Sequence, residues 1–265
     1  VRQSLGRISA VLLRHLYLYP TSPSRLMEIF YWPVLDLLVW GFLTIYLSRN
    51  PGAVGHWTAF LLGAMILWDI LFRCQQAVCI SFLEEIWSRN LLNLFASPLS
   101  PGEFLASTML LSFVKFLLAG AVTVSLAWGL YSFNLLALGL WLIPLVLNLI
   151  AMGWVIGIVT TGIILRYGER AEVLAWGLAL LVQPFAAVFY PVSVLPSALR
   201  AVAYALPCTY AFEGMRAVIA SGSAGPAHLW TPFALNAAYL AASWAFFKLM
   251  YRQAQERGLL TKLGE

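Results

Sequence analysis

EEIWSRNLLNLFASPLSPGE, residues 84–103, is a polar, amphipathic island between two long apolar runs. Glu84 and Glu85 open it, and acidic side chains favour a helix N-terminus. Ile86, Leu91, Leu94 and Phe95 supply apolar contacts, while Trp87 suits the lipid headgroup level. Ser97-Pro98 and Ser100-Pro101-Gly102 stop the helix and turn the chain, so that Glu103 and Phe104 start the next apolar run. The expectation is a short, rigid helix over 84–97, held between two spans. Helical spacing gives it an outward face of Glu85, Arg89 and either Leu92 or Asn93. Leu91, Leu94 and Phe95 either pin the helix to the protein body or form the stripe that a partner receives.

The runs on either side settle the class. The chain has 265 residues, 62% hydrophobic and 10% charged, against about 25% charged in average soluble domains. It lacks the charge to cover a soluble surface, and several apolar stretches reach the roughly 20 residues that cross a bilayer as helix. The reading is an all-α, polytopic membrane protein, one transmembrane domain over 1–265. Six spans are expected, at about 29–47, 57–80, 104–130, 135–164, 173–190 and 229–250. Before them, Leu5, Ile8, Leu12 and Leu16 recur at helical spacing among Arg2, Arg7 and Arg14. That suits an interfacial helix, and Pro20 and Pro23 then turn the chain within 1–28.

Six spans put both termini on one side. Arg2, Arg7, Arg14, Arg25, Arg73, Arg89, Arg166, Arg170, Lys248, Arg252, Arg257 and Lys262 gather there, leaving Arg49, Arg200 and Arg216 for the other. The positive-inside rule makes the richer side cytoplasmic, together with 84–103. Between the last two spans, 191–222 is too broken by Pro191, Pro196 and Pro207 for a simple span and too apolar for a solvated loop. Two short re-entrant or interfacial helices on the outer side are expected there.

Charge inside a bilayer marks function or a packed pair. Asp36 lies in the first span. Asp69 and Arg73 lie one turn apart in the second and can pair on one helix face, as a structural pair or as a gate. Lys115, in the third, can snorkel, pair with Asp36 or line a path for a headgroup. Toward the outer side, Phe185, Phe189, Tyr190, Tyr204 and Tyr210 form an aromatic set able to seal an exit or stack on cargo. Glu213 and Arg216 are candidates for closing the outer segment, for holding an outer gate or for contacting cargo, Arg216 by binding an anionic headgroup. Cys74, Cys79 and Cys208 are too few and scattered for a disulfide framework. His15, His56 and His228 form no metal pattern, and no metal site is expected.

The order of spans, EEIWSRNLLNLFASPLSPGEFLAS, and PFAAVFYPVSVLPSALRAVAYALPCTYAFEGMR together resemble the permease subunits of the type 2 ABC exporters, over nearly the whole chain. That family exports polysaccharides, lipo-oligosaccharides, lipids and drugs. The resemblance implies that residues 84–96 are a coupling helix docked in a groove of a nucleotide-binding subunit, with Glu84, Glu85, Arg89, Leu92 and Asn93 as contacts. It implies a lipid, glycolipid, polysaccharide or drug-like cargo, a permease homodimer with two ATP-binding subunits, and a bacterial-type inner membrane. ATP and Mg would be held by those partner subunits, with no cofactor in this chain.

Other functions lack their residues. No G-x-x-x-x-G-K-[ST] occurs, so an enzyme that hydrolyses ATP by a P-loop is excluded, as is an H-E-x-x-H zinc protease. The histidines lack the G-x-S-x partner of an intramembrane serine protease. A channel would need a carboxylate ring, which Asp36 or Asp69 supplies only in an oligomer. A channel or a passive assembly protein without ATP coupling stands as the alternative. Nothing marks the chain for nucleic acid.

Overall fold

The computed structural model describes residues 2–20, 22–49 and 56–258. Among the described residues all regular structure is helical. Helix α1 (Arg2–Leu18) leads to α2 (Pro23–Ser48), α3 (His56–Trp87), the short α4 (Leu91–Ala96) and α5 (Pro101–Tyr131). A 3₁₀ segment, Leu135–Trp141, enters α6 (Leu142–Tyr167), and α7 (Leu174–Phe185), α8 (Ser197–Ala205), α9 (Pro207–Ser221) and α10 (Ala227–Glu256) follow.

The starts are written in local chemistry. Pro23 and Pro101 open α2 and α5, where the missing N–H costs nothing. Ser100 and Glu103 form a reciprocal cap: the Glu103 amide donates to Ser100 Oγ (3.2 Å), and the Ser100 amide donates to Glu103 Oε2 (2.8 Å).

Five helical segments are long and apolar enough to cross a membrane: Arg25–Leu47, Phe60–Trp87, Pro101–Tyr131, Leu135–Tyr167 and Ala227–Glu256. The first, second, third and sixth expected spans coincide with helices, although α3 runs seven residues beyond the expected end at 80. The fourth begins in the 3₁₀ segment and bends at Gly139, where φ is +59°. The fifth departs most from expectation. Instead of helix over 173–190, α7 holds only 12 residues, about 18 Å long against a hydrocarbon core of about 30 Å. The chain then leaves helical geometry through Ala187, whose φ is +51°.

Helix α3 is the central element. In its most apolar stretch 78% of residues are buried, against 22–28% in α2, α5 and α10. Its neighbour α6 approaches it closely because Gly153 and Gly157 face it. A Cβ on Gly153 would stand 2.6 Å from the Leu71 carbonyl oxygen, and one on Gly157 would stand 2.9 Å from Val78 Cβ. On the far side of α6, buried Asn148 and Asn236 fasten three helices. Asn148 Nδ2 donates to the Pro207 carbonyl (3.2 Å), and Asn236 Nδ2 donates to Asn148 Oδ1 (2.5 Å) and to the Asn148 carbonyl (3.1 Å). Two short helices do occupy the proline-broken stretch, with α8 and α9 meeting at Pro207.

Candidate functional site

The 84–97 stretch is two helices, not one. Helix α3 continues to Trp87 and ends when the Asn90 amide donates to the Glu85 carbonyl (2.9 Å) and the Arg89 amide to the Ile86 carbonyl (2.9 Å). This bond pair closes a helix around one left-handed residue, normally glycine. Here that residue is Arg89, with φ +54°. The chain turns there, and α4 lies against the body with Leu91 and Leu94 buried beside Ile86, Leu99 and Phe104. The pinning stripe is therefore Leu91 and Leu94. Arg89 and Asn93 are exposed. The side chains of Leu92 and Phe95 lie outside the described residues.

Glu85 is not on the outward face. Its side chain is 2% exposed, and it accepts from Arg14 Nη2 (3.1 Å, with the ion pair at 2.9 Å) and Asn90 Nδ2 (2.6 Å). The sequence face failed there because α3 overruns the expected break and keeps Glu85 on its own inward side. Glu84 reaches Arg25 of α2 at 3.3 Å. Helix α1 is a strut across this region: Arg14 holds Glu85 before the turn, and Arg7 makes a two-pronged pair with Glu103 after it, at 2.9 and 2.5 Å. Beside Glu85, His15 is buried, its Nδ1 donating to the Val11 carbonyl (2.9 Å) and its Nε2 standing 3.9 Å from the carboxylate. Burial pushes the His15 imidazole below its ordinary value, against the Val11 bond and the Glu85 carboxylate, which pull upward. The Arg7 guanidinium is raised by its hydrogen bond to Glu103. The S-x-x-E signature at Ser100–Glu103 was available in the sequence as a cap; the arginine that also claims Glu103 was not.

A groove of about 840 Å³ opens between α2, α3 and the start of α7. Arg25, Glu84 and Trp87 stand at one end. Further along come Trp32, Asp36, Asp69, Phe72, Arg73, Gln76 and Trp176. Asp69 and Arg73 pair at 2.6 Å, as their spacing implies. Asp36 is exposed and makes no ion pair among the described residues. Lys115 is elsewhere: its ammonium sits 5.0 Å over the Tyr19 ring, so of the three expectations for it the Asp36 pair is not formed. Gln75 and Gln76 of α3 both donate to the Ala175 carbonyl, at 2.8 and 2.6 Å, fixing the start of α7 to the groove wall.

At the other end of α7, Glu213 and Arg216 of α9 bind the irregular backbone. Arg216 Nη2 donates to the Ala187 carbonyl (2.7 Å) and Nη1 to Val188 (3.3 Å), while the Val192 amide donates to Glu213 Oε1 (2.8 Å). The two side chains pair at 3.0 Å, and the guanidinium lies 4.8 Å from the Phe60 ring centre. The aromatic set does not gather into one cluster. Phe189 stacks on Trp40 of α2 with centroids 4.3 Å apart. Tyr190 donates to the Pro184 carbonyl, and Tyr204 and Tyr210 form a separate pair at 6.2 Å. Phe185 closes α7, half-buried. Among the described residues no His, Cys, Asp and Glu group could hold a metal ion, and all three cysteines are buried thiols outside any disulfide.

Five helical segments long and apolar enough to cross a bilayer mark an integral membrane protein. Residues 23–220 match the family described as ABC-2 type transporter, and the chain belongs to that family. Such permeases are the membrane components of their transporters, generally not catalytic, and normally work with an ATP-binding subunit. No curated protein matches the chain closely.

Proposed function

We propose that the chain is the permease of an ATP-driven exporter, pairing with a second copy and with two ATP-binding subunits that hold ATP and Mg. Its cargo is an amphiphile, of the lipid, glycolipid, polysaccharide-lipid or drug-like kind, moving along the groove between α2, α3 and α7. It resides in an inner, cytoplasmic-type membrane with both termini inside. Helix α7 and the backbone that follows it make the fifth of six crossings, and α8 and α9 re-enter from outside.

The observation that carries this reading is the capped turn at Arg89. A docking element must be exposed on one face and stiffly joined to moving helices on the other. Helix α4 meets both needs: Leu91 and Leu94 are buried, the α1 strut ties both flanks, and Arg89 and Asn93 face outward. Closure of the ATP-binding subunits would push α4 and shift α3, the wall shared by the groove.

Arg89→Gly gives a clean test, since glycine suits a positive φ and only the cation is lost. Co-expressed with its ATP-binding subunit, the variant should insert and pair as wild type does. It should pull down less of that subunit and show transport-linked ATP hydrolysis reduced several-fold. Arg89→Glu should lose more, if the facing groove is acidic. Wild-type association from both variants, and from a chain lacking residues 91–96, would sink the docking role.

A further inference from the structure

This inference rests on the export reading and names the charge of the cargo. Among the described residues the groove is lined by three carboxylates and two guanidinium groups: Asp36, Asp69 and Glu84 against Arg25 and Arg73. Both cations are engaged, Arg25 with Glu84 at 3.3 Å and Arg73 with Asp69 at 2.6 Å. The balance of one negative charge falls on Asp36, at the middle of α2, where a carboxylate is costly unless a cation comes within reach. Trp32, one helical turn before it, is 59% exposed, and Trp176 across the groove is 41% exposed. Exposed indole faces beside an unmatched carboxylate are the combination that receives an organic cation: the ring quadrupole and the carboxylate attract the same sign of charge, and the apolar walls accept its hydrocarbon. An anionic headgroup would meet Asp36 and find neither arginine free.

We infer that the groove between α2, α3 and α7 selects a cationic amphiphile, with Asp36 as its counter-ion and Trp32 and Trp176 as its aromatic walls. A headgroup with a fixed positive charge and apolar substituents fits this chemistry. A lipid phosphate or diphosphate does not.

Tetraphenylphosphonium and tetraphenylborate make the comparison, because they share size and shape and differ in sign. The full chain with its ATP-binding subunit, in zwitterionic lipid nanodiscs, should bind radiolabelled tetraphenylphosphonium saturably and at least about tenfold more tightly than the borate. Asp36→Asn should weaken the cation about tenfold, and Asp36→Glu should restore most of it. Trp32→Ala should also weaken it, with folding checked by unchanged insertion and ATPase association. Equal or tighter binding of the borate, or an Asp36→Asn variant that binds the cation as wild type does, overturns the assignment. Saturable borate binding lost in Trp32→Ala would leave an amphiphile path standing with its charge reversed. No saturable binding of either probe, beside intact Arg89-dependent ATPase association, overturns the cation site and leaves the exporter standing. Loss of that association alone strikes only the export reading.

Discussion

At the scale of single residues, polar side chains act here as fasteners in apolar surroundings, and each has a measurable consequence. Asp69 and Arg73 are nearly buried together, with side chains 12% and 14% exposed. Removing Arg73 leaves the Asp69 carboxylate without its ion-pair partner, at a cost of about 3–5 kcal/mol, whereas replacing both with neutral groups costs less. Arg73→Ala should therefore lower folded yield more than Arg73→Ala combined with Asp69→Asn, as read by size-exclusion of detergent-solubilised chain. Equal yields would mean that the pair is not coupled. His15 supplies a pH dependence. In the unfolded chain it takes a proton near pH 6.5, and in the fold only at lower pH. Between those values the unfolded state holds more protons, so stability rises with pH across that window. The contribution is complete above about pH 6.5 and is lost as pH falls through the folded value. The midpoint of thermal unfolding should drop between pH 7.5 and 5.5, and His15→Gln should flatten that drop; parallel pH profiles would refute the assignment. The Asp69–Arg73 pair was legible because both residues share one helix. The burial of Glu85 was not, since its partners Arg14 and His15 are some seventy residues away in the chain.

At the scale of elements, periodicity and proline placement located most helices, because a long apolar run has few alternatives in a membrane. Two things escaped. The break at Arg89 carries no glycine, so the cap that ends α3 has no residue signature, and 84–97 read as one helix. The end of α7 escaped because Ala186, Ala187 and Val188 are as apolar as the helix before them, while the groups that stabilise the non-helical turn, Arg216 and Glu213, come from α9. Contact between α3 and α6 depends on a signal that the sequence does carry, Gly153 and Gly157 four residues apart, the small-residue spacing that lets helix backbones approach. Gly157→Leu should disrupt this seam, since even a Cβ meets Val78 at 2.9 Å and the Gln75 carbonyl oxygen at 3.0 Å. A loss of about 1–3 kcal/mol or more from overpacking is expected. Gly129, where a Cβ meets nothing within 4 Å, should tolerate the same change. Comparable thermal stability of the two variants would refute the packing argument.

At the scale of the whole molecule, the number of crossings decides the geometry of export, and it turns on α7. Five crossings would put Arg2 and Arg257 on opposite sides, leaving the arginines of α1 and those at the end of α10 facing different compartments. Six would put them together, with Arg166 and Arg170 after α6, as the positive-inside rule favours. Helix α7 alone is too short, yet residues 186–188 prolong its path in a fully buried state. Non-helical backbone at membrane depth is tolerated only where protein meets its polar groups. The Arg216 bonds to the Ala187 and Val188 carbonyls and the Glu213 bond to the Val192 amide do so here. A path completed by α7 and this turn would leave Gly225, between α9 and α10, outside, and Gly258, after α10, inside. Cysteines introduced at these two positions report the outcome directly, because Cys74, Cys79 and Cys208 are buried and should contribute little background. In intact cells an impermeant maleimide should label Gly225→Cys and spare Gly258→Cys until the membrane is opened. Labelling of Gly258→Cys alone would mean that the chain turns back after α7 without crossing, which would take α8 and α9 to the cytoplasmic side and remove the outer closure assigned to Arg216.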